Sequence, residues 1–444
     1  MKLIYNVKDK PKFGQLIVFA VQQLLAIMAA TLVVPIIIGN GMQPTAALFG
    51  AGVGTLIYIL FTKAKSPVFL GSSFAFLGSM AAAFAGAVSV QAGYAGLIIG
   101  TVFAGLVYVV IALIVKFAGV NWINKLMPAQ VIGPTVSIIG LSLAGNAIGD
   151  LQTGGFKIEG VSQANVFVAL VCGLTALFVA MICSVYGKKT VKLIPFIIGI
   201  ISGYIVAAVF TIIGLKTGNN SLVVIDFSVF ENIKLFALPE FTFLTAAKGI
   251  KEVDGAYIAS LAVAYIPVAF VVFAEHIADH KNISSIIESD LLEEPGLHRT
   301  LLGDGVGSMA GAFFGGCPNT TYGESVACVA ITGNASVYTT ITAAVAAILI
   351  AFIQPFVAFV NSIPSCIMGG ICVALYGFIA VSGLKMIQKV DLENNSNLFT
   401  VSVILIAGIG GLALNFGAVT ITSIATALIL GIITNIVLSR KKKA

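Results

Sequence analysis

The sequence has few charged residues. Of its 444 residues, 9% are Asp, Glu, Lys or Arg and 59% are hydrophobic, whereas soluble globular domains carry roughly 25% charged residues. This shortage excludes a soluble globular protein, and the long apolar runs predict a polytopic helical membrane protein. The formal net charge of +6 comes from loops and tails, so we expect a lipid bilayer as partner and no nucleic acid.

Residue types that carry redox or metal chemistry are also scarce. The chain has 6 cysteines, none in a Cys-x-x-Cys pair and all in apolar stretches, which indicates reduced packing residues. The histidines His276, His280 and His298 are too few and too poorly spaced for a convincing metal site. We therefore expect no cofactor.

The hydrophobic runs predict fourteen membrane crossings. Their approximate spans are 14–39, 44–62, 68–86, 93–118, 126–147, 163–186, 192–215, 256–279, 298–315, 317–333, 336–360, 363–388, 397–414 and 417–438. The third and tenth spans each contain a Pro and a short extended run before a short helix, which predicts broken strand–helix elements. A long polar loop at 216–255 separates the halves. The basic head 1–12 leads into an apolar run too long for a cleaved signal, so the first span should remain.

The distribution of Lys and Arg tests this span count. Nineteen of the 24 Lys and Arg residues fall on the side that carries the N-terminus. Five fall on the opposite side, namely Lys157, Lys216, Lys234, Lys248 and Lys251. Because cytoplasmic loops carry the excess of positive charge, we expect both termini in the cytoplasm.

The two halves contain matching motifs seven spans apart. Met127-Pro128 is followed by Ile132-Gly133, and Ile363-Pro364 is followed by Met368-Gly369 at the same offsets. The two broken elements are also seven spans apart. Since seven is odd, the repeats would be inverted in the membrane, a common transporter design with its site between broken helices. The sequence therefore predicts an all-α fold of seven-plus-seven inverted repeats.

Four acidic residues lie inside or at the edge of apolar runs between 271 and 333, namely Glu275, Asp279, Asp304 and Glu324. An Asp at the centre of a membrane helix costs about 2.5–3.5 kcal/mol, so these residues predict a polar site. Glu275 and Asp279 are four apart and share one helix face. Two alternatives stay open: Asp279 as a solvated helix end, and Asp304 as a residue that either orients the site or packs against backbone. His276 is expected to pack or hydrogen-bond.

The run 317–324 is extended and then helical, so the first N–H groups of its helix should face a cavity. Such amides favour a carbonyl oxygen or an anion, and Glu324 in the same turn adds a carboxylate. The matching run 70–76 would supply amides from the opposite direction, and Phe74 or Phe76 could stack on a flat ligand. Two sets of backbone amides and two carboxylates fit a small planar ring with alternating C=O and N–H groups. A buried carboxylate at this site could also carry a coupling proton.

At these residues the chain resembles the nucleobase–ascorbate transporter family, most closely its bacterial uracil permease branch. The matching pieces are Gln22-Gln23 through Pro35, GSSFAF at 71–76, AEH at 274–276, DLLEEPGLHR at 290–299, PNTTYGE at 318–324, Ile331-Thr332, and MGG at 368–370 through Leu375-Tyr376-Gly377. They extend over nearly the whole chain, and PNTTYGE after PGLHR is highly specific.

The resemblance implies a bacterial plasma-membrane homodimer that takes up uracil with protons, each core domain moving like an elevator. It implies core segments at 1–118 and 256–361, gate segments at 119–215 and 362–444, and an extracytoplasmic loop at 216–255. It implies that Glu275 and Glu324 bind the base through their carboxylates and that Phe74 and Gly323 bind it through backbone amides. It implies that Tyr322 and Tyr376 line the pocket. Proton coupling is implied for Glu275, Asp279 and Glu324, and a supporting role for Gln23, Asp304 and Ser325.

Three departures from the family pattern affect these roles. Ser325 and Ala327 replace the Asn and Gly of the general signature, which affects substrate fine-tuning. Asp279 stands where the best-known uracil permeases carry a His, so coupling is expected with a different pH response. Gln23 also replaces a His, while Glu rather than Gln at 324 favours uracil over purines.

Three alternatives compete with uracil import. A xanthine or urate carrier of the same family differs only in base preference. An intramembrane aspartyl protease would use Asp279 and Asp304, but the run 301–304 lacks the first Gly of the GxGD motif. An anion channel or exchanger on the same fold is disfavoured, because two carboxylates would repel an anion.

Overall fold

The computed structural model describes residues 3–119, 121–158, 161–188, 190–231, 233–416 and 419–439. Lys2, Lys189 and the basic tail 440–444, which entered the charge count, lie outside these described residues. The α-helices of the described chain are α1 Phe13–Ile38, α2 Pro44–Phe61, α3 Leu77–Ala85, α4 Val90–Ala118, α5 Asn121–Leu126, α6 Ala129–Ser142, α7 Ala144–Leu151, α8 Val166–Tyr186, α9 Thr190–Leu193, α10 Pro195–Thr217, α11 Thr242–Gly249, α12 Gly255–Ile287, α13 Leu297–Gly315, α14 Gly323–Thr332, α15 Val337–Ile350, α16 Gln354–Ser362, α17 Ser365–Ile387, α18 Asn395–Ile409 and α19 Ser423–Ser439. The strands are β1 Leu70–Ser72, β2 Lys157–Ile158, β3 Val161–Ser162, β4 Asn319–Thr321, β5 Leu414–Phe416 and β6 Val419–Ile421.

The helices account for the predicted crossings. In the described chain, 8 helices are long and apolar enough to span a membrane, counting α6 and α7 as one bent helix. Five shorter apolar helices follow: Phe74–Ala85, which includes α3, and α14, α15, α18 and α19. The remaining crossing is α13, a glycine-rich helix packed along α2 and α4. The predicted polytopic α-helical fold is confirmed.

Two predicted segments are subdivided in the structure, and one predicted boundary was wrong. The polar loop 216–255 contains α11 and three short 3₁₀ turns. The span 336–360 is divided into α15 and α16, and the second helix starts with Pro355 in its first turn, a position that suits proline because its missing N–H would be unpaired there anyway. The helix predicted to end at 279 continues to Ile287. Its polar end lacks the apolar periodicity that marks a span, so hydropathy placed the boundary two turns early.

The two broken elements meet at the centre of the molecule. β1 pairs antiparallel with β4, with Leu70 opposite Thr321 and Ser72 opposite Asn319, and both strands are fully buried. Irregular backbone at membrane depth needs internal partners, and the Thr55 hydroxyl of α2 accepts from the Leu70 N–H at 2.9 Å. Because the strands are antiparallel, the helices that follow them leave from opposite ends of the pair. This arrangement confirms the predicted strand–helix elements.

Glycines bring pairs of helices into backbone contact. A Cβ on Gly50 of α2 would lie 2.6 Å from the Gly311 carbonyl oxygen of α13. On the other side of the molecule, a Cβ on Gly133 of α6 would lie 3.1 Å from the Gly383 carbonyl oxygen of α17. Membrane helices pack this closely only where side chains are small. One group of helices therefore forms around α2 and α13, and a second around α6 and α17.

Candidate functional site

A cavity of about 360 Å³ lies between these two helix groups. From the first group α12 contributes Glu275 and Asp279, and α14 contributes Gly323 and Glu324. From the second group α17 contributes mostly apolar side chains, and Lys192 of α9 lies at the edge of the cavity. The volume is in the range of small-molecule sites, which are mainly apolar with a few convergent polar groups.

The acidic side chains of α12 line this cavity one turn apart. Glu275 is half-buried, whereas Asp279 is only 8% exposed. The Thr321 hydroxyl of β4 donates to Asp279 Oδ2 at 2.9 Å. Because α12 continues two turns beyond it, Asp279 is not a solvated helix end, and that alternative interpretation was wrong. Together with Glu324, three carboxylates border one cavity.

The first turn of α14 presents backbone amides beside these carboxylates. Its N-cap Tyr322 provides no side-chain cap, and the first N–H groups of a helix have no intrahelical partner. Gly323 is exposed to the cavity, and a Cβ there would meet only Asp279 Oδ1, at 3.8 Å. The helix N-terminus therefore favours a ligand carbonyl oxygen next to carboxylates that favour ligand N–H groups.

The three aromatic residues assigned to the site lie outside this cavity. The Tyr322 hydroxyl donates to the Ser72 carbonyl at 2.7 Å, and its ring covers Gly71, where a Cβ would lie 2.5 Å from it. Phe74 meets Tyr376 edge to face, with ring centroids 5.8 Å apart. Tyr376 lines a second cavity of about 150 Å³ between α6–α7 and α17. Ligand contact by these residues stays a prediction, since none of them lines the larger cavity in this structure.

Gln23 and Ser325 are brought together although they are 302 residues apart in sequence. Gln23 Nε2 of α1 donates to Ser325 Oγ at 2.6 Å, and the Phe69 N–H before β1 donates to the same oxygen at 2.9 Å. One hydroxyl therefore joins α1, the chain before β1 and α14. The family departure at 325 thus occupies a defined structural position.

Replacing Ser325 by Ala should leave the Gln23 amide and the Phe69 N–H unpaired in the core. We expect a loss of roughly 1–3 kcal/mol of folding free energy, seen as a lower unfolding temperature in detergent. Ser202→Ala is the matched control, because the Ser202 hydroxyl only donates to the Ile198 carbonyl of its own helix. Equal unfolding temperatures for the two variants would contradict the bridging role of Ser325.

Asp304 lies behind Glu275 and bonds to a side chain instead of backbone. Its Oδ2 is 2.7 Å from His276 Nδ1, and His276 Nε2 is 2.9 Å from the Thr300 hydroxyl. His280 stacks on His276 with ring centroids 3.9 Å apart, and its Nε2 is 2.6 Å from the Tyr58 hydroxyl. The hydrogen-bonding role expected for His276 agrees with this geometry. Sequence reasoning missed Thr300, His280 and Tyr58, although the spacing of the histidines by four residues predicts that their rings share a face.

The arrangement does not match an aspartyl protease or a metal centre. Asp279 bonds to Thr321 and Asp304 bonds to His276, so these two carboxyl groups do not form a proton-sharing pair of the aspartic-protease kind. Within the described ranges, no group of three or more His, Cys, Asp or Glu residues is placed to hold a metal ion.

Comparison with known proteins gives one family. A family model described as "Permease family" matches residues 14–417. The uracil permease of Bacillus caldolyticus is 38% identical over 446 residues, covering 100% of this chain and 96% of the relative. The uracil permease of Bacillus subtilis (strain 168) is 36% identical, covering 100% and 97%, and that of Escherichia coli (strain K12) is 33% identical, covering 96% and 92%.

Solved structures share the fold at low sequence identity. The transmembrane domain of the cyanobacterial bicarbonate transporter BicA gives a TM-score of 0.63 at 16% identity, covering 98% of this chain and 100% of that domain. The murine Solute Carrier 26 family member A9, an anion transporter in the inward-facing state, gives a TM-score of 0.66 at 11% identity, covering 98% and 69%. At these identities the likeness concerns the fold alone.

Proposed function

Since the chain belongs to this permease family, the nucleobase–ascorbate transporters that its motifs resemble, we propose that it imports uracil together with protons. The observation that carries the proposal is the cavity itself, where the N-terminus of α14 adjoins Glu275 and Glu324. A pyrimidine base presents C=O and N–H groups in alternation, and this wall offers donors and acceptors in the same way. Curated relatives along the full length are named uracil permeases.

Each side chain has a chemical part in this proposal. Glu275 and Glu324 accept hydrogen bonds from the ring N–H groups, and the Gly323 amide donates to a ring carbonyl. Phe74 would supply a second amide when the two helix groups close on the base, and Tyr376 of the gate, whose ring meets that of Phe74 edge to face, would then border the base. Among the three carboxylates, at least one must take a proton to relieve their mutual repulsion.

Anion transport on the same fold is disfavoured by the charge of the cavity. Glu275, Asp279 and Glu324 face one cation, Lys192, among the residues that line it. An excess of carboxylates repels an anion at such short range, so the chemistry differs from the activities named for the structural neighbours. A purine carrier stays open, because the cavity has room for a two-ring base.

The proposed transport cycle follows from which segments form the two opposite walls of the cavity. The core segments 1–118 and 256–361 carry the carboxylates, and the gate segments 119–215 and 362–444 carry the opposing wall. We infer that the core slides against the gate with the base bound, which is the elevator movement. Lys192 and Met386 at the edge of the cavity belong to the side with the excess of Lys, so the cavity opens to the cytoplasm of a bacterial cell and both termini lie there.

A homodimer is also part of the proposal. α17 and α18 expose large apolar side chains, including Val381, Leu384 and Phe399. In a bilayer such a surface faces lipid or a second copy of the chain, and we assign it to the dimer contact between gate domains.

Radiolabelled uracil uptake tests the proposal in cells that lack their own permease. We expect uptake above the empty-vector control, a loss of uptake with a protonophore, and competition by unlabelled uracil stronger than by xanthine or urate. Uptake that survives the protonophore would remove proton coupling and keep the substrate. Absence of uracil uptake by a well-expressed protein would overturn the assignment, and stronger competition by xanthine would point to a purine carrier.

A further inference from the structure

Behind the proposed base contacts, three buried side chains form a closed hydrogen-bonded group. His276 and Thr300 are 0% exposed and Asp304 is 1% exposed. His276 lies between the other two, with Nδ1 against Asp304 Oδ2 at 2.7 Å and Nε2 against Thr300 Oγ1 at 2.9 Å. The contacts proposed for the base use none of these three side chains. His276 follows Glu275 in the sequence, and Thr300 and Asp304 lie on the neighbouring helix α13.

The number of protons that this group holds depends on the direction in which the Thr300 hydroxyl donates its hydrogen bond. Thr300 Oγ1 also lies 3.1 Å from the Leu297 carbonyl, which can only accept, and a hydroxyl has one hydrogen to donate. If Thr300 donates to Leu297, then Nε2 must carry a proton and donate to Thr300. The 2.7 Å contact between Nδ1 and Oδ2 then needs a second proton, so His276 and Asp304 are together neutral.

The alternative orientation of Thr300 holds one proton fewer. If its hydroxyl donates to Nε2, then His276 donates through Nδ1 to an ionised Asp304, and the pair carries one negative charge. Both arrangements satisfy the same heavy-atom positions. The two arrangements therefore differ only by one proton on Nε2 and by the direction of the Thr300 hydroxyl, while one proton stays between Nδ1 and Oδ2 in both.

The second oxygen of Asp304 favours the neutral arrangement. Oδ1 is buried and has no hydrogen-bond partner among the described residues. An unpaired oxygen of a buried carboxylate is costly, whereas the carbonyl oxygen of a neutral carboxyl group is much less so. The geometry at Oδ1 thus agrees with a group that holds its extra proton.

The imidazole of His276 is held so that it exchanges protons without rotating. His280 stacks on one face at 3.9 Å, and Tyr108 approaches edge-on with ring centroids 6.3 Å apart. His280 is itself fixed, since Nδ1 is 2.7 Å from the His276 carbonyl and Nε2 is 2.6 Å from the Tyr58 hydroxyl. Ring rotation would break this stack, so Nδ1 and Nε2 keep their partners.

We propose that His276, Asp304 and Thr300 store the coupling proton behind the base site, with Thr300 as the positioning residue that sets how tightly it is held. The contact between His276 Nδ1 and Asp304 Oδ2 holds one proton in both states. The incoming proton resides on Nε2, which then donates to Thr300 Oγ1, and the hydroxyl hydrogen of Thr300 turns to the Leu297 carbonyl. This inference rests on the proposed proton coupling. It gives that coupling a location separate from the carboxylates that bind the base.

The proton stored there would act on Glu275 through charge. Asp304 is near enough to Glu275 for their charges to interact. When the group is neutral, Glu275 can stay ionised and accept an N–H of the base; when it is negative, ionised Glu275 is disfavoured. The titratable side chains that face the group from the surrounding helices are Tyr58 of α2, Tyr108 of α4, and Glu275, Asp279 and His280 of α12. Glu324 of α14 interacts with Glu275 and Asp279.

Thr300→Val tests the proposal in proteoliposomes, by initial uracil uptake as a function of external pH. Valine keeps the shape and removes the hydroxyl. The protonated group then loses a bond from an N–H that carries part of a positive charge, whereas the deprotonated group loses a bond to a neutral nitrogen. Because bonds to charged groups are stronger, we expect the pH midpoint of uptake to move toward acid by roughly half to one unit.

Two further variants separate proton storage from packing. Thr300→Ser restores a hydroxyl and should return the midpoint to the wild-type value. Thr101→Val is the matched control, because the Thr101 hydroxyl is equally buried and donates only to the Leu97 carbonyl of its own helix. If Thr300→Val folds poorly, Thr300→Ala removes the same hydroxyl and predicts the same acid shift.

Each outcome of these uptake measurements either supports or overturns proton storage by this group. An acid shift in Thr300→Val that is absent from Thr300→Ser and Thr101→Val supports proton storage. An unshifted midpoint with a lower maximal rate, or a shift toward alkaline pH, overturns it. Wild-type uptake that does not change with pH removes proton coupling itself, whereas pH-dependent wild-type uptake with an unshifted Thr300→Val removes only this inference.

Discussion

Glu275→Gln should lower uracil uptake by about a hundredfold or more, with little change in the amount of folded protein. The Glu275 carboxylate lines the cavity and is half-buried. A hydrogen bond to a charged group contributes roughly 1.5–3 kcal/mol. A neutral amide is a weaker acceptor, and its NH2 group replaces one of the two acceptor oxygens of the carboxylate, which adds to the loss. The measurement is the initial uptake rate at matched surface expression, together with uracil binding to the purified protein.

Glu293→Gln is the control for this change. Glu293 is an exposed acid in the connection between α12 and α13, so the same loss of one carboxylate there should leave uptake unchanged. If Glu275→Gln transported uracil at close to the wild-type rate, the base could not depend on that carboxylate.

Gly54→Ala should destabilise the contact between α2 and α13 and remove most of the folded protein. A Cβ at position 54 would lie 2.6 Å from the Gly307 carbonyl oxygen and would also collide with the Asn319 amide. Backbone cannot give way as a flexible side chain can, and overpacking a tight core costs roughly 1–3 kcal/mol or more. We expect a lower unfolding temperature in detergent and a matching loss of uptake.

The uptake loss has a second cause at this position. Asn319 of β4 donates to the Gly50 carbonyl of α2 at 3.2 Å, so a displaced Asn319 disturbs the strand that leads to Gly323. Gly145→Ala in α7 is the control, because a Cβ there meets nothing within 4 Å. A Gly54→Ala protein with the stability of Gly145→Ala would show that the two helices are less tightly packed than the structure has them.

Much of the site could be predicted because charged residues in membrane segments are energetically unfavourable and therefore rare. An acidic residue such as Glu275 or Glu324 within an apolar run stands out against lipid-facing sequence. The extended runs before α3 and α14 contain Pro, Ser, Thr and Asn where a membrane helix would have apolar residues. These local signals also predicted that the two runs match each other, and in the structure each forms a buried strand followed by a short helix.

Partners that are distant in the chain could not be predicted in this way. Tyr58 and His280 are 222 residues apart, and Gln23 and Ser325 are 302 apart. Neither pair leaves a periodic signal, because each depends on the register of two helices that meet only after folding. The burial of Asp279 stayed open for a related reason: hydropathy falls at the polar end of α12, although the helix continues to Ile287.

The sequence by itself determined the class of protein, the number of crossings, the repeat and the acidic residues of the site, because the bilayer penalises every charge and every unpaired backbone group. The tertiary structure alone decided which polar side chains pair, since hydrogen bonds need distances of about 3 Å that only packed helices set. It assigned Ser325 to a bridge between α1 and β1. It also placed Thr300 and Asp304 on either side of His276, where the protonation of one buried group depends on the orientation of a single hydroxyl.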